Sequence, residues 1–123
     1  MIKLNFCLRR LPSLSSAEFQ TYWLEKHAPL VREYAKALRI IRYVQTHYLA
    51  ETGLQASLDA RGPIIEPYDG IAQLWWANVD DILTAGTTPE GRAAGRALLT
   101  DERNFIDLPN SPIFFAQEHV IVG

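Results

Sequence analysis

The sequence holds one cysteine, Cys7, in 123 residues. No internal disulfide can form, and a cysteine-built zinc site is excluded. Nor does any stretch approach the ~18–20 consecutive apolar residues of a membrane span. Basic charge is not in excess: Lys and Arg total 12 against 14 Asp and Glu, for a net charge of -2. With no basic stripe and no polybasic run, neither nucleic acid nor an anionic membrane surface is expected as a partner. The opening Met1-Ile2-Lys3-Leu4-Asn5-Phe6-Cys7-Leu8-Arg9 alternates and lacks the charged-then-apolar order of a signal peptide. A cytoplasmic address is the expectation. Repeats of 20–50 residues, a phosphate loop and a serine nucleophile elbow are all missing. Gly91-Arg92-Ala93-Ala94-Gly95 follows no strand and so is not a dinucleotide-binding turn.

What remains is the balance of an ordinary globular protein, 48% hydrophobic and 21% charged. The length suits one domain over residues 1–123, enough to bury a core without staples. Ile2, Leu4, Phe6 and Leu8 alternate with Lys3, Asn5, Cys7 and Arg9, which predicts a half-buried strand that Pro12 ends. Cys7 reads as a packed thiol mid-strand. Ser15-Ser16-Ala17-Glu18 has the form of a capping box and opens a helix. Phe19, Trp23, Leu30, Val31, Tyr34 and Leu38 carry the helix at near-helical spacing. Pro29 cannot donate and disfavours helical geometry at Ala28, so a kink or break is expected near His27-Ala28-Pro29.

A second strand is expected over Ile40–Leu49, then a long connection over 50–68 that suggests a functional lid or a short irregular helix. A third strand, Asp69–Ala77, precedes a short helical turn at Asp80–Leu83. Thr88-Pro89 starts a second long helix that runs towards Phe105. Gly91 and Gly95 weaken it, which implies compensating close packing. After Pro109 and Pro112, Ile113–Val122 is the last expected strand. The order β-α-β-β-α-β gives an α+β fold: a four-stranded antiparallel sheet with both helices on one face. Trp75, Ile71, Phe115 and Ile121 are assigned to the other face, too apolar to leave wet, so a homodimer is expected to cover them.

Two groups of residues could carry chemistry. His27 shares a helix face with Trp23 and Leu30, directed at the sheet. Its near-neutral pKa suits a general acid or base, although a buried neutral histidine bonded to a carbonyl is the commoner fate. Tyr43, Gln45 and His47 are polar-tipped residues on one strand face, suited to lining a pocket or to meeting water at a sheet edge. Glu118 and His119 point to opposite faces and cannot form a dyad. His27, His47 and His119 have no metal-ligand spacing, so no metal site is expected.

The run Phe19-x-x-Tyr22-Trp23-x-x-x-His27-Ala28-Pro29-Leu30-Val31 resembles the signature of EthD-like proteins. Tyr43-Val44-Gln45-Thr46-His47, Tyr68-Asp69-Gly70-Ile71-Ala72-Gln73-Leu74-Trp75-Trp76, Phe105-Ile106-Asp107 and Glu118-His119 agree with it in order. The resemblance implies a ferredoxin-like dimeric α/β barrel with a pocket between helices and sheet. It implies a cofactor-independent enzyme acting on a small apolar, aromatic, lactone or polyketide-like molecule by isomerisation, dehydration or cyclisation. A non-catalytic ligand-binding module and an oxidoreductase or monooxygenase are the alternatives. His27, Tyr43 and His47 are the candidate catalytic residues; Phe6, Trp23, Leu74 and Trp76 are the candidate substrate-binding residues.

Overall fold

A computed structural model describes residues 1–62 and 66–123. Strand β1 (Ile2–Leu8) leads into α1 (Ser16–Tyr22), a π-helical turn (Trp23–His27) and α2 (Ala28–Tyr34). Strand β2 (Arg42–His47), α3 (Thr52–Gln55), a 3-10 turn (Ala56–Arg61), β3 (Gly70–Trp76), α4 (Val79–Ala85) and α5 (Pro89–Glu102) follow. A 3-10 turn (Leu108–Asn110) and β4 (Ile113–Gln117) complete the order. The sheet is antiparallel with strand order β2-β3-β1-β4, the ferredoxin-like arrangement expected. The connection after β2 contains short irregular helix, as expected; its residues 63–65 lie outside the described residues.

Local signals account for the helix starts. Ser15 Oγ accepts from the Glu18 amide at 3.0 Å, and the Glu18 carboxylate accepts from the Ser15 amide at 2.9 Å. Thr88 caps α5 by accepting from the Gly91 amide at 3.0 Å. The helix does not break at Pro29. It widens by one residue: the Ala28 amide donates to the carbonyl of Trp23, five residues back. Pro29 then falls in the first turn of α2, where an amide proton is not required. Such π-turns are frequent at functional sites. Here the wide turn leaves both Trp23 and His27 buried.

The register assigns the sheet faces. Leu4 pairs with Leu74 and Phe115, and Phe6 with Ala72 and Ile113, so these residues share the helix-covered face. Two sequence expectations are corrected. Phe115 lies on the helix side, edge-on to Trp76 at 6.1 Å, and its neighbour Phe114 takes the open side. Ile121 lies beyond β4, which ends at Gln117 rather than Val122. Trp75 does face the open side but is only 6% exposed. Lys3 and Arg42 each lie 4.9 Å over its ring, and its indole donates to Glu118. Strand β2 is shorter than Ile40–Leu49, although ladder bonds from Ile41 to Trp75 and from Tyr48 to Asp69 extend it at both ends.

Under the helices the core gathers Trp23, Phe19, Phe105 and Leu8, all fully buried. Each such side chain contributes about 1.5–3 kcal/mol relative to an exposed one. Trp23 lies on Gly70: a Cβ there would sit 2.5 Å from the indole ring and 2.5 Å from the Thr46 carbonyl, so only glycine fits.

Candidate functional site

Between the helices and the sheet lies a cavity of about 210 Å³. The sheet supplies Leu4, Phe6, Tyr43, Leu74 and Trp76; the helical side supplies Trp23, His27, Val31, Leu98 and Glu102. The wall is apolar except at His27, Tyr43 and Glu102, the pattern of a small-molecule site with few oriented polar groups. The cavity is smaller than a typical drug-sized pocket of ~300–1,000 Å³.

His27 is 5% exposed. Its Nδ1 donates to Asp101 Oδ2 at 2.8 Å, and its ring lies 5.0 Å from that of Phe105. The Asp101 carboxylate also accepts from the Tyr22 hydroxyl at 2.6 Å and from Asn104 Nδ2 at 3.5 Å. With Nδ1 acting as donor to a carboxylate, the imidazole carries its proton there and presents Nε2 as an acceptor. No hydrogen bond joins Nε2 to the described residues, and His27 is one of the residues that line the cavity. Burial lowers the His27 pKa, and Asp101 opposes that shift. Burial alone would raise Asp101, but Tyr22, His27 and Asn104 together hold it below its ordinary value. The outcome is a neutral, oriented imidazole backed by an ionised carboxylate.

Tyr43 is fixed from two sides. Trp23 Nε1 donates to its hydroxyl oxygen at 3.2 Å and Gln45 Nε2 at 3.0 Å. Both partners are donors, so the hydroxyl proton is left for a third group. Gln45 Nε2 also donates to the Trp23 carbonyl at 2.9 Å, which fixes the amide orientation. Gln45 Oε1 therefore accepts from His47 Nε2 at 2.8 Å. The His47 ring stacks on Trp23 at 4.4 Å and 11° and does not line the cavity. Of the residues singled out from the sequence, His27, Tyr43, Phe6, Trp23, Leu74 and Trp76 meet around one space. His47 stands behind Trp23 and holds Gln45, which holds Tyr43.

Two acidic residues escaped the sequence reading. Asp101 orients His27 from 74 positions away. Glu102 lines the cavity, and its carboxyl makes no hydrogen bond to the described residues. Burial, and secondarily the charge of Asp101, pushes Glu102 up to about 7. A signal was present. Both acids sit in the last turn of α5, where no basic residue accompanies them and the helix dipole disfavours negative charge. Residues placed against a local preference are candidates for function.

Among the described residues, no group of three or more His, Cys, Asp or Glu side chains could hold a metal ion. None of the described helices is long and apolar enough to cross a membrane.

A ferredoxin-like α+β fold with an apolar cavity between sheet and helices, entered by one oriented histidine, defines the class. The chain belongs to the EthD domain family, whose model matches residues 11–109. An EthD family protein from Bacillus halodurans is 18% identical with a TM-score of 0.62, the match covering 97% of this chain and 99% of that one. A dimeric ferredoxin-like protein of unknown function from Thermobifida fusca is 13% identical with a TM-score of 0.56, covering 94% and 88%. SnoaB, a cofactor-independent oxygenase from Streptomyces nogalater, is 13% identical with a TM-score of 0.51, covering 98% and 93%. At these identities the likeness is one of fold. No curated protein matches the chain.

Proposed function

We propose that this chain is a cofactor-independent enzyme of small-molecule metabolism that moves a proton next to a carbonyl group of a small, largely apolar ring. The carrying observation is His27: Nδ1 is committed to Asp101, Nε2 has no hydrogen-bond partner among the described residues, and the residue lines an apolar cavity. A neutral imidazole so held accepts a proton from carbon, and the free hydroxyl proton of Tyr43 meets the oxygen on which negative charge develops. Isomerisation, dehydration and cyclisation all pass through such a step. The test is hydrogen–deuterium exchange at the α-carbon of 2-tetralone in D2O, followed by proton NMR. The expected result is exchange above buffer that falls to the buffer rate in His27→Ala. Equal exchange by the two proteins overturns the reading.

The proposal includes a homodimer formed through the open sheet face. Phe114 is 51% exposed on the same face as Val44 and Ile71, across the sheet from them, and the structural neighbour from Thermobifida fusca is described as dimeric. Sedimentation equilibrium is expected to give twice the chain mass for the native protein and the chain mass for Phe114→Asp. A native monomer at micromolar concentration refutes the dimer.

A further inference from the structure

Helix α5 presents three residues to the cavity at helical spacing: Gly95, Leu98 and Glu102. The two glycines of this helix differ in what they do. A Cβ at Gly91 would lie 1.8 Å from the Ala85 carbonyl oxygen, so close backbone packing demands glycine there. A Cβ at Gly95 would meet nothing within 4 Å. Glycine inside a helix costs about 1 kcal/mol relative to alanine, and no packing contact at Gly95 offsets it. Gly95 both lines the cavity and is exposed, so what the missing side chain leaves is open space along the cavity wall, two helical turns from a carboxyl group that no described residue bonds.

Charge then selects the occupant. Among the described residues lining the cavity there is no Lys or Arg. An anionic ligand would lose its hydration without a fixed cation in return. Glu102 can be only neutral or negative. Its elevated pKa keeps a substantial share of it in the acid form near neutral pH, able to donate to an oxygen. Tyr43 lines the same cavity, and burial first, with the charge of Glu102 adding to it, raises its hydroxyl's pKa and keeps it protonated, so the wall offers two donors.

We propose that the cavity takes an uncharged aromatic or alicyclic carbonyl compound laid along α5, its ring over Gly95 and its oxygen accepting from Glu102 beside Tyr43. The proposal rests on the proton-transfer reading for the choice of a carbonyl, and it assigns Gly95 to ligand size and Glu102 to ligand charge.

The test is equilibrium binding to the full chain of two probes of similar shape, 2-acetonaphthone and 2-naphthoate, by calorimetry at pH 6 and pH 8. The ketone is expected to bind at least about tenfold more tightly than the carboxylate. Gly95→Val is expected to weaken the ketone by at least about tenfold while leaving the urea midpoint unchanged or higher. Glu102→Gln is expected to raise naphthoate affinity at pH 8 by about fivefold or more, because it removes a negative charge and keeps a donor. Naphthoate binding as tight as the ketone, a ketone affinity indifferent to Gly95→Val, or no ketone binding at millimolar concentration overturns the proposal. These readouts need no turnover. Loss of the His27 effect on exchange with this binding pattern intact refutes the proton-transfer reading alone, and the reverse pattern refutes the ligand assignment alone.

Discussion

Asp101→Asn is expected to lower the exchange rate by about 10²–10⁴ while leaving the fold intact. The effect works through the His27 tautomer. Asp101 can only accept, so His27 Nδ1 carries the proton and Nε2 is a base. An amide at position 101 can turn its NH2 towards Nδ1. The imidazole then places its proton on Nε2, and the cavity meets a donor where it had an acceptor. In serine proteases the corresponding Asp-to-Asn change beside a catalytic histidine costs about 10⁴ with geometry preserved. Tyr22→Phe removes only one donor from Asp101 and is expected to cost less than about tenfold. The tautomer itself is visible in the nitrogen NMR shifts of His27, expected to move between native protein and Asp101→Asn. The native rate should fall with acid along a limb below 6.5, because burial depresses the His27 pKa and only the neutral ring accepts a proton. If Asp101→Asn exchanges at the native rate while His27→Ala is inactive, Asp101 does not orient the base.

How much of this was legible before the structure depended on the range of the interaction. Signals confined to a few residues were readable. The Ile2–Leu8 alternation gave a strand, Ser15–Glu18 gave a capped helix, and Thr88-Pro89 gave another. Pro29 was read correctly as a perturbation but not as to its kind. A lost donor can be met by a break or by one extra residue in the turn, and the second keeps both Trp23 and His27 buried. The face of Phe115 depended on register with β1, which the β4 sequence does not contain. Tyr43 and His47 share a strand face, as alternation requires, yet Trp23 packs onto His47 and leaves it outside the cavity wall. The acids were hardest to see. His27 looked complete on its own helix, and its partner lies near the end of another, brought alongside only by tertiary packing.

Trp23→Ala is expected to destabilise the protein by about 3–5 kcal/mol, the usual cost of emptying a large buried aromatic site. Trp23 is fully buried, stacked on His47, tilted 5.6 Å from Phe19 and seated on Gly70. No neighbour can relax into the vacated volume cheaply, because the floor is the β2–β3 backbone and the side wall is a fixed hydrogen-bond chain. The substitution also joins the void to the ligand cavity and takes one donor from Tyr43. Trp23→Phe separates these effects. It keeps most of the packing and deletes the indole donor, so it is expected to cost less stability, with about 1 kcal/mol of the loss from the missing hydrogen bond, and to impair exchange through a less firmly held Tyr43. Urea unfolding at constant slope measures the first effect, and the exchange assay measures the second. A loss below about 1 kcal/mol in Trp23→Ala would show that the core is not organised around this residue. The expected result instead makes one side chain serve both core and site. In that case, substitutions that enlarge the cavity at Trp23 lose stability before they gain room for a new ligand, whereas a side chain at Gly95 of α5 alters cavity size without touching the core.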